Sequence, residues 1–204
     1  MNNFDFKNAL AHLKKDKVLS ALIQNHPLSE REYHDDVYEG LIGSILSQQL
    51  SVKAAATIKK RFYASFPDNY PDAEIILQRE IPELRSFGLS NQKSGYVRNV
   101  AQFFIDNNLL DSVWHELEDE EIIKLLTQIK GVGKWTVQMI LMFRLSRPDI
   151  FPIDDLGIQN AMKANYNLDL EKKALKIEME SIAKSWSPFR TIASLYLWES
   201  LNNT

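Results

Sequence analysis

The 204-residue chain is 45% hydrophobic and 10% aromatic, enough to bury a core as one compact domain or two small lobes. It contains no cysteine, which excludes disulfides, thiolate metal sites and iron–sulfur clusters. Its four scattered histidines form no close pair for zinc, so no cofactor is expected. A net charge of -3 supplies no overall attraction to nucleic acid, although the total says nothing about how Lys and Arg are spread over one face.

The N-terminal stretch MNNFDFKNALAHLKK lacks the apolar run of a signal peptide, and the longest apolar run, Met139 to Phe143, is too short to span a bilayer. An intracellular protein with no membrane partner is expected. Helical spacing recurs along the chain with no alternating strand, so the expected class is all-α. From Asp36, DVYEGLIGSILS reads as a capped helix with Leu41, Ile42, Ile45 and Leu46 on one face. After Gln48-Gln49, Ser51 caps a second helix, VKAAATIKKRFYASF, whose buried stripe is Ala55, Ile58 and Phe62. Ser90 caps a third, carrying Val97, Val100, Ala101 and Phe104. Ile122, Leu125, Leu126 and Ile129 line a helix that runs to the glycines of GVG. Leu175, Met179, Ile182 and Trp186 mark a helix near the end, and Ser187-Pro188 is read as the cap and first-turn proline of the last one.

The segment LTQIKGVGKWTVQMI, residues 126–140, places two glycines where a helix would avoid them. Gly131 suits a left-handed helix C-terminus, and Gly133 opens the next helix with a bare backbone. One reading is a tight interhelical turn. The other is a helix–hairpin–helix, in which the N–H groups at the start of the second helix, its positive dipole end and Lys134 receive a phosphate oxygen without reading a base. The helix that follows is apolar on two sides, with Val137, Ile140, Leu141 and Leu145 on one and Trp135, Met139 and Met142 on the other. It is either central core or a helix that shows Trp135 and Met139 to a planar ligand.

Downstream, RPDIFPIDDLGIQNAM sets Asp154 and Asp155 at a helix start. An N-cap explains one carboxylate and leaves the other as solvated charge. A carboxylate kept ionised by a helix dipole also suits stabilisation of a developing cation.

LTQIKGVGKWTVQMI followed, 22 positions after Gly133, by Asp155 in FPIDD resembles the helix–hairpin–helix–Gly/Pro–Asp superfamily of base-excision DNA glycosylases. With ILSQQLSVKAAATI, GKWT and WSPFRTIASLYLW, the chain is similar to the DNA-3-methyladenine glycosylase II group, which excises alkylated purines. The resemblance implies an all-α fold of two helical lobes, one about 36–148 with its hairpin at 119–145, the other about 1–35 plus 149–204, with an interlobe active-site cleft. It implies a monomer that binds double-stranded DNA and rotates an alkylated base out of the stack. Asp155 matches the essential aspartate, and Asp154 a neighbouring acidic position of structural role. Trp135 stands where bifunctional relatives carry a Schiff-base lysine, which implies simple hydrolysis to an abasic site. Trp135 and Trp198 fall at aromatic pocket positions, where core packing is the other reading.

Met139 and Leu156 occupy pocket positions that hold tyrosines in the best-known bacterial pattern, and Lys130 replaces a hairpin proline, which leaves the lesion range open. Gln49 aligns with the minor-groove wedge, where that pattern has leucine, and Leu50 adjoins it, so the wedge is one or the other. Gly131, Gly133 and Lys134 are the implied backbone-phosphate contacts. The resemblance also implies a sodium or potassium ion on the backbone carbonyls of Thr127, Ile129 and Gly131. A glycosylase for another modified or mispaired purine, a non-catalytic DNA-binding module and a protein-interaction domain are the other classes the residues allow.

Overall fold

The computed structural model describes residues 6–28 and 35–201; parts of the expected second lobe, residues 1–5, 29–34 and 202–204, lie outside them. Among the described residues the secondary structure is helical throughout. The chain divides into two compact units, one of Met1–Tyr33 with Leu141–Thr204 and one of His34–Ile140. In chain order, α1 (Phe6–Leu13) and α2 (Lys17–Asn25) belong to the first unit. The second holds α3 (Val37–Ser47), α4 (Val52–Tyr63), α5 (Ala73–Gln78), α6 (Ile81–Ser86), α7 (Asn91–Asp106), α8 (Asp119–Leu126) and most of α9 (Lys134–Phe143). The chain returns to the first unit with α10 (Leu156–Tyr166), α11 (Lys172–Ala183) and α12 (Arg190–Glu199).

The cap residues start the helices as their chemistry dictates. Asp36 accepts the Glu39 N–H at 2.8 Å, Ser51 the Ala54 N–H at 3.4 Å, and Ser90 the Lys93 N–H at 3.2 Å. In the second unit α3 is buried on nearly every side, which fits its run of Leu41, Ile42, Ile45 and Leu46. It packs on α7, whose Val97, Val100, Ala101 and Phe104 are all fully buried. Periodicity overran the helix ends. α4 stops at Tyr63, α8 at Leu126 and α9 at Phe143, while Ile129 and Leu145 are buried from the turns beyond. Burial of an apolar side chain carries the same spacing signal whether its backbone is helical or turning.

The core of the first unit joins Leu13 and Leu19 from the N-terminal helices to Phe151, Ile158, Met162, Met179, Trp186 and Leu197. Asp16 stitches it together. Its Oδ1 caps α2 by accepting the Val18 and Leu19 N–H groups at 2.8 and 3.1 Å. Its Oδ2 accepts the Tyr166 hydroxyl at 2.9 Å and the Trp186 indole N–H at 3.1 Å.

The start of the last helix corrects the sequence reading. α12 begins at Arg190, and Ser187 is not its cap. Ser187 Oγ donates instead to Asp149 Oδ2 at 2.8 Å, and Asp149 does the capping from 41 positions upstream. It takes the Arg190 N–H at 3.2 Å and, on its two oxygens, Nε and Nη2 of the Arg190 side chain at 2.8 Å each. One aspartate thus satisfies the helix terminus and a guanidinium fork together. A serine with a remote carboxylate in reach donates its hydroxyl there and leaves the capping to the anion. Thr191 seals the same junction, donating to the Arg147 carbonyl at 2.6 Å and accepting the Ile150 N–H at 3.0 Å.

Burial is the largest single influence on the Asp149 carboxyl and pushes its pKa up. The hydrogen bonds from Arg190 and Ser187 and the Arg190 charge together outweigh burial and hold it below the ordinary 3.8. A carboxyl depressed in the folded state stabilises fully above its unfolded pKa and loses that contribution as pH falls through its folded one. Asp149→Asn is therefore expected to cost about 1–2 kcal/mol at neutral pH. The gap between variant and wild-type Tm, measured by thermal melts, should narrow as pH drops below about 4. A gap independent of pH would remove Asp149 from this role.

Candidate active site

The hairpin between α8 and α9 takes its shape from Gly131. Its φ of +107° belongs to the region where a side chain is strained, and its α-carbon sits against an aromatic ring. A Cβ built there would lie 2.3 Å from Cγ of Tyr96 on α7. The hairpin carbonyls are held from the same unit. Asn99 Nδ2 donates to the Lys130 carbonyl at 3.1 Å, Gln48 Nε2 to the Gly131 carbonyl at 3.3 Å, and the Val132 N–H to the Ile129 carbonyl at 3.0 Å. Gly133 differs from Gly131. A Cβ there would meet nothing within 4 Å, and its carbonyl accepts the Val137 N–H at 3.1 Å to begin α9. The first-turn N–H groups of such a helix have no acceptor within the helix, and the exposed Lys134 stands beside them.

In the sequence Gln48 is half of a Gln48-Gln49 pair; in the structure it is the bolt between two features. It ends α3, grips the hairpin through Gly131, and delivers Gln49 in a left-handed conformation with φ of +55°. Gln49 is exposed, as is Leu50 at 39%. Lys93 on α7 donates to the Leu46 carbonyl at the same helix end at 2.9 Å, and burial lowers its pKa. Neither contact had a sequence signal, since a helix-ending glutamine and a helical lysine are commonplace.

On α9, Trp135 is 43% exposed, which argues against its being central core, while Met139 is half-buried and Met142 buried. Both Trp135 and Met139 stand in the second unit. Asp155, Leu156 and Trp198 stand together in the first.

Asp155 caps α10 from an extended backbone, its Oδ1 accepting the Ile158 N–H at 2.8 Å. The same oxygen accepts the indole N–H of Trp198 at 2.8 Å. The Trp198 ring stacks on Phe143, centroids 6.1 Å apart and planes 29° apart. Leu156, next to the carboxylate, is 69% exposed. Asp154 turns to Lys176 Nζ at 2.5 Å in an exposed pair, a weak structural contact. A carboxylate at a helix N-terminus and a helix–hairpin–helix on the same all-α chain offer an anion able to meet a developing positive charge and backbone N–H donors able to receive a polyanion.

The sequence signature of the HhH-GPD superfamily of base excision DNA repair proteins matches residues 42–188, and the chain belongs to that family. It is 35% identical to a putative DNA-3-methyladenine glycosylase of Bacillus subtilis, over 97% of this chain and 71% of the relative. It is 36% identical to DNA-3-methyladenine glycosylase 1 of Schizosaccharomyces pombe, over 90% of this chain and 81% of the relative. Among solved structures, the S. pombe 3-methyladenine DNA glycosylase in complex with abasic DNA superposes with a TM-score of 0.84 at 33% identity, over 96% of this chain and 97% of that one.

The two hairpin glycines should respond differently to a methyl group. Gly131→Ala faces both the positive φ and the Tyr96 ring and is expected to lose at least about 2 kcal/mol of stability. Gly133→Ala, with open space around it, should stay within about 0.5 kcal/mol of wild type. Denaturant melts of both variants compare them directly, and equal losses would contradict the packing described.

Proposed function

We propose that this protein is a monofunctional DNA glycosylase that takes alkylated purines such as 3-methyladenine and 7-methylguanine out of duplex DNA and hydrolyses the N-glycosidic bond, leaving an abasic site. The observation that carries this reading is Asp155, a carboxylate held at a helix N-terminus in a chain of this family. The leaving base already carries positive charge. As the bond from C1′ breaks, its electron pair moves onto the base and neutralises it, while the sugar takes on oxocarbenium character. Asp155 is the anion that stabilises this cation, and water adds at C1′ and gives up a proton. Trp135 replaces the lysine that would form an imine, so no strand cleavage through a lysine follows. Trp135, Met139, Leu156 and Trp198 are each proposed as base-contacting residues, with Trp135 supplying an exposed ring to stack on a cationic purine.

Gly131, Gly133 and Lys134 are the proposed contacts to a phosphate, and Gln49 or Leu50 is the proposed wedge in the gap left by the flipped base. The carbonyls of Thr127, Ile129 and Gly131 fit a monovalent cation, being hard oxygen donors. The hydrogen bonds to Ile129 and Gly131 leave each carbonyl a second lone pair. Such an ion would carry positive charge to the phosphate side of the hairpin, and no other cofactor enters the scheme. The working partner is double-stranded DNA bound by a monomer inside the cell, in the cytoplasm of a bacterium or the nucleus of a eukaryote. No described helix is long and apolar enough to cross a membrane.

Asp155→Asn keeps an oxygen for both N–H donors but removes the charge. It is expected to lower single-turnover excision of 7-methylguanine at least about 100-fold with binding to abasic-site duplex retained. Near-normal excision by this variant would overturn the assignment. Gly133→Leu should weaken binding to all duplexes alike, because a backbone contact to phosphate reads no base. Electrophoretic or fluorescence titrations with several sequences test this, and unchanged affinity would return GVG to a plain turn.

A further inference from the structure

An indole N–H only donates, so its partner reports what the ring edge is used for. At Trp198 that partner is Asp155 Oδ1 at 2.8 Å, the atom that also accepts the Ile158 N–H. We propose that Trp198 is a positioning residue for Asp155, acting through its indole N–H, and that Gly157 is the residue whose missing side chain makes the contact possible. The inference rests on Asp155 being the reactive anion and assigns Trp198 a role separate from stacking on a base.

The capping bond comes from the carboxylate's own helix, and the indole brings a second donor to the same oxygen from another helix. That donor is itself anchored. The Trp198 ring leans on Phe143, and α12, which carries it, is locked to the 147–155 segment two turns earlier by Asp149 on Arg190 and by Thr191 on Arg147 and Ile150. The segment that ends in Asp155 and the helix that ends near Trp198 are therefore pinned at both ends, and the indole–carboxylate bond closes the far one.

Gly157 lies where the two side chains meet. A Cβ there would fall 3.0 Å from Asp155 Oδ1 and 3.1 Å from both Cδ1 and Nε1 of Trp198, tighter than ordinary contact, so any side chain pushes the pair apart. Its backbone has ordinary helical geometry, and clearance is the physical reason for glycine there. A glycine in the first turn of a helix has no sequence pattern of its own, so this clearance is legible only in the fold.

The decisive probe is the full-length protein with Trp198 replaced by 3-benzothienylalanine, which keeps the size and flat face of the ring and substitutes sulfur for the N–H. A role in stacking or packing predicts no change. The positioning role predicts single-turnover excision of 7-methylguanine slowed about 10- to 100-fold, the range for losing a hydrogen bond to a charged group. Kd for abasic-site duplex should stay within about twofold, since that binding does not use the charge orientation. Gly157→Ala, which intrudes on the contact without altering either partner, should slow excision in the same direction with Kd again unchanged. A wild-type rate in the benzothienyl protein overturns the inference whatever Gly157→Ala does. An equal loss in rate and affinity reports a general disturbance of the site and overturns it too. Wild-type protein that excises no alkylated purine, or an active Asp155→Asn, removes the functional reading first and this inference with it.

Discussion

One oxygen atom, Oδ1 of Asp155, is the point on which the organisation of the first unit converges. It starts α10 by accepting the Ile158 N–H, and it receives the indole of α12. A carboxylate used only as a cap needs the first bond, and one used only as a reactive anion needs neither. The pair together hold a negative charge in a fixed direction at a helix N-terminus, where the backbone dipoles already favour it. The surrounding polar links follow from that need. Asp149 and Thr191 bring the incoming segment onto the start of α12, so that the same helix presents Trp198 at its end.

The second unit meets a different demand, an exposed backbone terminus that must keep its shape. Its solution is to hold the hairpin from behind. The Tyr96 ring fills the space next to Gly131, and Asn99 and Gln48 take up carbonyls of the turn. Because Gln48 also ends α3, the hairpin and the exposed Gln49-Leu50 turn are held by one side chain. Gly133 is left with open space on its outer side, as a backbone that something else approaches requires.

The overall charge of -3 is no obstacle to such binding. Lys130 and Lys134 are exposed on either side of the glycines, and Lys93 is drawn inward to close a helix end. Affinity for a phosphate depends on the field at a few ångströms, screened beyond about 10 Å in ordinary salt, so local placement outweighs the sum over the chain. The acidic residues do other work: Asp16, Asp36, Asp72, Asp149 and Asp155 each hold a helix N-terminus.

Sequence alone determined the all-α class, the capped starts of α3, α4 and α7, the buried faces of α3 and α7, the left-handed Gly131 and a capping role for one of Asp154 and Asp155. All of these depend on interactions within a few residues, where spacing and side-chain chemistry are sufficient. Tertiary structure decided what the same residues touch across longer distances. Ser187 looked like a cap until Asp149 arrived from 41 positions away to take the helix terminus. No local pattern marks the reach of Gln48 to the hairpin or the closure of Trp198 over Gly157. A local pattern specifies which groups need partners. Which partner arrives is settled by the packing of helices distant in the chain, and no single segment encodes that.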